Sequence, residues 1–172
     1  SLLVGGGSGL SRLVLIESGR LTTLDGLRLV NGGRLSVAAG SDATYATGHA
    51  GGLLHAGAGS GIELRAARPE DGSFDRLEVD GALLLDGASF FLDMTGAPPA
   101  QLGDSYDFFD WGTRSGSFAE LVLPALPPGL RWDTSRLYID GVLSVGAVPE
   151  PGSWALLLAG GVALTRRLRA RR

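Results

Sequence analysis

The stretch that decides the fold is GRLTTLDGLRLVNGGRLSVAAG, residues 19–40. Its glycines recur every seven residues, and short runs that alternate apolar and polar residues lie between them. Leu27 and Leu29 flank Arg28, so in a strand the two leucines share one face and the arginine takes the other. The pattern therefore predicts short strands, each with one buried face. The four spaced glycines are Gly19, Gly26, Gly33 and Gly40.

The same alternation continues over residues 10–95, interrupted by Asp-Gly and Asn-Gly dipeptides that are typical of turns. It assigns one apolar face to each short strand, and that face is expected to point toward a common core. The residues predicted to face inward are Leu27, Leu29, Leu35, Val37, Leu77, Val79, Leu83 and Leu85.

Two architectures fit this pattern. The Asn31-Gly32 and Asp-Gly pairs are compatible with antiparallel hairpins. Alternatively, each seven-residue unit is one side of a coil, three sides make a turn of about 21 residues, and stacked turns form a short parallel β-helix. The regular glycine spacing favours the coil. Residues 40–61, which are rich in Gly and Ala, are interpreted as a loop or a degenerate turn.

Residues 101–148 differ in composition, because they hold seven of the twelve aromatic residues of the chain. Strands are predicted near 105–111, 117–123, 136–140 and 142–146. The open end of a coil exposes its core and needs a terminal cap. We therefore interpret residues 1–100 as the repeat region and 101–148 as an aromatic β cap, in an all-β fold.

Charge is distributed unevenly along the chain. Residues 1–148 contain 10 arginines and 17 acidic residues, a net charge of −7, and the chain has no lysine. A body with this charge is a poor match for nucleic acid, whose phosphates require basic surface. We therefore expect no nucleic-acid partner.

The segment 149–172 has three parts: Pro-Glu-Pro, an apolar stretch and an arginine cluster. A helix over about 152–168 is predicted to enter the membrane, although residues 154–164 alone are short for a bilayer that needs about 20 residues. An ordinary amphipathic helix is the plainer alternative, but no polar face interrupts the stretch. The membrane residues are Trp154, Leu156, Leu157, Leu158, Val162 and Leu164, and the arginines, expected to stay cytoplasmic, are Arg166, Arg167, Arg169, Arg171 and Arg172.

In this order and position, the three parts resemble the PEP-CTERM sorting signal of Gram-negative bacteria. The resemblance implies cleavage near Pro149, Glu150 and Pro151 by an exosortase, an inner-membrane Cys protease. It also implies transient insertion in the inner membrane, with the body periplasmic, and then delivery to the cell surface, often alongside exopolysaccharide. The body more loosely resembles the β-strand repeats of autotransporter-like exported proteins.

Catalytic patterns are scarce. The chain has no Cys and only two histidines, and no Ser lies in a G-x-S-x-G turn. We expect no enzyme activity, no cofactor and no metal site. Trp111, Trp132 and Tyr138 are candidates for stacking on sugar rings, with core packing as the plainer interpretation.

The sequence thus predicts an exported structural protein of the cell surface or extracellular matrix. Its expected partners are the exosortase, membrane lipid and exopolysaccharide. A carbohydrate-binding adhesin is the alternative, and a polysaccharide-acting enzyme is the third interpretation. A sugar binder requires exposed aromatic rings, a scaffold requires buried ones, and an enzyme requires carboxylates converging in a cleft.

Overall fold

The computed structural model describes residues 2–6, 11–16, 20–22, 26–38, 45 and 47–149. Within them the chain forms fifteen β-strands and one short 3-10 helix, Pro69–Asp71, and no α-helix. The strands are β1 (Leu2–Val4), β2 (Ser11–Ile16), β3 (Arg20–Thr22), β4 (Leu27–Leu29), β5 (Gly33–Ala38), β6 (Thr47–Gly51), β7 (Leu54–Gly57), β8 (Gly61–Arg65), β9 (Arg76–Asp86), β10 (Ser89–Asp93), β11 (Ser105–Asp107), β12 (Phe109–Ser117), β13 (Glu120–Val122), β14 (Leu130–Asp133) and β15 (Val142–Ala147).

The strands stack in parallel to form a β-solenoid of about three turns. One face is built from β1, β4, β7 and the second half of β9. The next contains β2, β5, β8, β10 and β13. The third contains β3, β6 and the first half of β9, and β12 extends the first and third faces by pairing along β9. The all-β parallel coil predicted from the sequence is confirmed, and the hairpin alternative is wrong for this region.

The predicted inward residues form the core. All eight are buried, with at most 4% of their surface exposed, because alternation along each strand sends every second side chain inside the coil. Leu27 lies beside Leu54, and Leu54 lies beside Leu83, so equivalent leucines stack from turn to turn. The apolar columns predicted by the pattern are therefore continuous through the repeat region.

The predicted turn length is wrong. Leu27 and Leu54 are 27 residues apart and Leu54 and Leu83 are 29 apart, not about 21. The turns are longer because several strands exceed the predicted length and because residues 66–75 form an excursion between β8 and β9. The segment 40–61 holds β6 and β7, which agrees with a degenerate turn better than with a simple loop.

Glycines make the corners between the third and first faces. Gly81 lies under Gly52, and its N–H donates to the Gly52 carbonyl oxygen at 3.1 Å. A Cβ atom on Gly81 would lie 2.5 Å from that same oxygen, and one on Gly112 would lie 2.9 Å from the Gly81 oxygen. Successive turns approach here too closely for any side chain, so the stacking of the backbone requires glycine.

Residues after the coil form a separate antiparallel sheet in the order β11-β15-β14. Strands are present close to the predicted positions 105–111, 117–123 and 142–146. Burial of Tyr106, Phe108 and Leu143 joins this sheet to the core of the coil.

The strand predicted at 136–140 is wrong. The N–H of Leu137 donates to the Thr134 oxygen and the N–H of Ile139 donates to the Arg136 oxygen, each at 3.1 Å, so this segment is a run of turns. Leu137 is buried while Ile139 is 74% exposed, although a strand would place both on one face. Alternation of apolar residues was therefore misleading at this point.

Replacing Gly81 with alanine is expected to lower the free energy of unfolding by about 2 kcal/mol or more, because the new Cβ collides with a backbone oxygen that no rotamer change can move. Gly146→Ala is the matched control, since a Cβ there meets no atom within 4 Å. Urea unfolding of both variants measures the difference. Equal stability of the two variants would contradict the account of the corners.

Candidate functional site

The apolar columns of the coil end in aromatic rings at the last turn. Leu77 lies beside Phe109 on β12, and Val79 lies beside Trp111. Phe109 in turn contacts Phe118, with ring centroids 5.9 Å apart. The rings of residues 101–148 thus continue the aliphatic core and close it where no further turn follows within the described residues.

Two of the three predicted sugar-contact residues are brought together around an arginine. The Arg114 guanidinium carbon lies 6.0 Å from the Trp111 ring centroid and 5.3 Å from that of Tyr138. Its Nη1 also donates to the Gly116 carbonyl oxygen. These distances allow cation–π attraction to both rings. We call Trp111, Arg114 and Tyr138 the Arg114 cluster.

Trp132 lies elsewhere. It is on β14 of the antiparallel sheet, where its Nε1–H donates to the Pro124 carbonyl oxygen at 2.8 Å. Its ring is 6.1 Å from that of Tyr106, which is fully buried. A hydrogen-bonded ring that packs on a buried ring has a structural role, so Trp132 is not part of the Arg114 cluster.

Exposure does not place the three rings in either predicted class. Trp111, Trp132 and Tyr138 are all partly buried and pack against the core. They are neither fully exposed platforms nor fully enclosed core residues. Trp111 is the one that also lines a groove.

The groove beside Trp111 lies where β9 and β12 turn from one face of the coil to the next. Its volume is about 250 Å³, and we call it the Trp111 groove. The register of β12 on β9 shifts between Trp111 and Thr113, and such a bulge redirects the neighbouring side chains. The groove is lined by Glu78, Val79, Asp80, Asp110, Trp111 and Gly112.

Sequence reasoning missed both this groove and Arg114. Glu78 and Asp110 become neighbours because β12 stacks on β9, in the register that places Asp110 directly beside Glu78. The two residues are 32 positions apart, and the spacing of the glycines gave a shorter turn. No signal in the sequence fixed that offset.

One arginine holds several of the nearby carboxylates. The Arg76 guanidinium lies 3.0 Å from Asp107, 3.4 Å from Asp110 and 3.6 Å from Glu78, measured between nitrogen and oxygen atoms. Glu78 also lies 2.9 Å from Nδ1 of His49. The wall of the Trp111 groove is therefore a network of ion pairs.

Burial raises the pKa of Asp107 above its ordinary value of 3.8. The Arg76 guanidinium acts in the opposite direction, while the carboxylates of Asp110, Asp140 and Glu78 raise the pKa further. Protonation of Asp107 is thus favoured by the fold, because desolvation and repulsion together outweigh its ion pair.

The remaining polar candidates have structural partners. His55 Nε2 lies 3.6 Å from Asp86. Ser60 is buried, and its hydroxyl donates to the Gly57 carbonyl oxygen at 2.6 Å. Asp104 accepts the N–H of Gln101 at 2.8 Å. In the part of the chain that the structure describes, no group of three or more His, Cys, Asp or Glu residues is arranged to hold a metal ion.

A second depression, about 320 Å³ in volume, lies between the loops that follow β10 and β13. Prolines, alanines, Met94 and Leu126 line it, and none of these residues titrates. It offers apolar surface but no group for acid–base chemistry or metal binding.

The predicted tail lies almost wholly outside the described residues. Pro149 is described and exposed, and the N–H of Val148 just before it donates to the Gly129 oxygen at 2.8 Å. Glu150, Pro151, the membrane helix at 152–168 and the arginine cluster fall beyond it. Among the residues that are described, no helix is long and apolar enough to span a membrane.

Comparison with known proteins found no match: no family model, no curated protein and no solved structure is similar to this chain. Interpretation of the site therefore depends on its geometry and on the sequence itself.

The opposite pKa shifts of two aspartates predict opposite effects of pH on stability. The raised pKa of Asp107 means that the folded chain binds this proton more tightly than the unfolded chain. Its stabilising contribution is complete below the unfolded pKa of about 3.9 and declines as pH rises through the folded value. An Asp107→Asn variant should therefore gain stability relative to the natural chain between pH 3 and pH 7.

Asp133→Asn is the control of opposite sign. A hydrogen bond from the N–H of Ser135 lowers the pKa of Asp133, so this carboxylate stabilises the fold above pH 4 and its contribution is lost in acid. This variant should lose stability relative to the natural chain as pH rises from 2 to 7. Urea unfolding at several pH values measures both trends, and the same trend in both variants would contradict the prediction.

Proposed function

We propose that this chain is an exported, non-catalytic protein of the cell surface or extracellular matrix, sorted by an exosortase through a C-terminal PEP-CTERM signal. The observation that carries the proposal is the order of Pro149-Glu150-Pro151, the apolar stretch and the arginine cluster. In this proposal the tail resides briefly in the inner membrane, with the arginines cytoplasmic and the body periplasmic, and is then removed.

The end of the described body supports this role for the tail. β15 is the central strand of its antiparallel sheet, and the last backbone hydrogen bond is that of Val148. Pro149 and Pro151 lack N–H donors and disfavour continuation of regular structure. A folded body that ends just before the Pro-Glu-Pro motif leaves the motif accessible to a protease and keeps its own core after cleavage.

A non-catalytic role is supported by the state of the carboxylates. Glu78 and Asp110 line a groove, as an enzyme that cleaves polysaccharides would require, but both form ion pairs with Arg76. The Asp110 side chain is also 64% exposed. A general acid needs a water-poor setting that keeps its proton near neutral pH, and this pair lacks one.

Carbohydrate binding is the second candidate function. It is favoured by the Arg114 cluster, which brings Trp111 and Tyr138 around one guanidinium beside a groove. Aromatic rings with an adjacent polar wall are suited to the apolar face and the hydroxyl groups of a sugar. An adhesin that contacts exopolysaccharide would combine this site with surface display.

Replacement of Pro149-Glu150-Pro151 by three alanines tests the sorting proposal. Mass spectrometry of the protein from its native host should show natural chains that end near residue 150, and variant chains that retain Arg172. A control variant with alanines at Pro98 and Pro99 in the body should be processed normally. Natural chains on the cell surface that still carry Arg172, or unchanged processing of the variant, would overturn the proposal.

A further inference from the structure

We infer that the Trp111 groove binds an uncharged polysaccharide by stacking one pyranose ring on Trp111 and accepting its hydroxyl hydrogens with Glu78, Asp80 and Asp110. The inference rests on the second candidate function and specifies the site and the ligand class. Its basis is the geometry of the corner between β9 and β12.

The groove is open because the corner residues lack side chains. Gly112 stacks on Gly81, and a Cβ at Gly112 would lie 2.9 Å from two backbone oxygens. The glycine that stacking requires thus also leaves space beside the indole. The bulge between Trp111 and Thr113 then turns Trp111 toward the groove while Phe109, on the same strand, is buried in the core.

Trp111 provides a firm platform. Its ring packs near Phe109, with centroids 6.5 Å apart, and the Arg114 guanidinium lies 6.0 Å away. A ring held in this manner loses little conformational freedom when a ligand binds, and preorganisation of this kind improves affinity. The C–H face of a pyranose is an apolar surface that suits an indole.

The opposite wall supplies acceptors. The Arg76 guanidinium and His49 hold the Glu78 carboxylate, and Arg76 also holds that of Asp110. Each carboxylate has several acceptor positions, so one ion pair leaves others for hydroxyl donors. Hydrogen bonds from hydroxyl groups to carboxylates are among the stronger ones in proteins.

Charge selects among polysaccharides. Three carboxylates line the groove, and Asp107 lies on the far side of Arg76. The body as a whole carries a net charge of −7 over residues 1–148. A uronate or sulfate group placed against this wall would be repelled, which is a common basis of specificity. The groove is therefore matched to neutral sugars and rejects acidic ones.

Calorimetric titration of the full chain, kept soluble in a detergent without sugar groups, tests the inference. The probes are the hexamers of cellulose, maltose-type glucan and xylan as neutral glycans, and oligogalacturonate as the acidic one. The natural chain should bind at least one neutral hexamer, and oligogalacturonate at least tenfold more weakly. Lack of binding to every neutral hexamer, or tighter binding of oligogalacturonate, would overturn the inference.

Two variants locate the site. Trp111→Leu, which keeps an apolar residue at the end of the core, should lose at least tenfold in affinity. Asp110→Asn changes an exposed side chain that the fold tolerates, and should reduce discrimination against oligogalacturonate. Ile139→Ala, at a 74% exposed residue beside Tyr138, is the matched control and should bind as the natural chain does. Unchanged binding in both site variants would place the sugar elsewhere and overturn the inference.

A last arm separates sugars from organic cations. A trilysine peptide is titrated against the same proteins, because an aromatic ring next to carboxylates also attracts cations. Trilysine binding without sugar binding would overturn the inference. Processing of the tail, measured by mass spectrometry, should be the same for natural and Trp111→Leu chains, so failure of sugar binding leaves the sorting proposal intact.

Discussion

Close stacking of the backbone at the corners of the coil is the constraint on which the rest of the structure depends. At Gly52, Gly81 and Gly112 one turn lies directly on the next, and a Cβ would meet a carbonyl oxygen at 2.5 to 2.9 Å. Parallel strands keep their register only if these corners stay in line. The register in turn places leucine on leucine inside the coil and charge on charge outside it. The many glycines of the chain thus serve the core, although none contributes a side chain to it.

The same register generates the candidate site. Val79 is followed in its column by Trp111, and Glu78 by Asp110, because β12 repeats the path of β9 one turn later. Inside, the column ends in a ring that closes the core. Outside, it ends in a carboxylate beside that ring. The end of a solenoid therefore brings an aromatic surface and a charged surface together, and the corner glycine between them leaves a groove.

The core was readable from the sequence, whereas the contacts between turns were not. Alternation around Arg28, Ser36 and Glu78 identifies the buried leucines, since burial in a strand depends on local order alone. The glycine period marked real corners at Gly26 and Gly33, where a Cβ would meet the backbone of a neighbouring turn. It did not give the length of a turn, which depends on how far each excursion leaves the coil. Arg114 and the Trp111 groove follow from that length, and only the structure supplies it. At 136–140 the local alternation was present but hydrogen-bonded turns prevailed.

Disulfide trapping tests most directly the claim that the body is a coil of parallel, in-register turns. The chain has no natural cysteine, so introduced pairs are unambiguous. His55 and Leu84 are register partners on adjacent strands, whereas Arg28 lies one strand further from Leu84 in the same column. Cysteines at 55 and 84 should form a disulfide on mild oxidation of the folded protein. Cysteines at 28 and 84 should not, because two strand spacings of about 4.8 Å exceed the reach of the bond. A bridge between 28 and 84, or none between 55 and 84, would contradict the account.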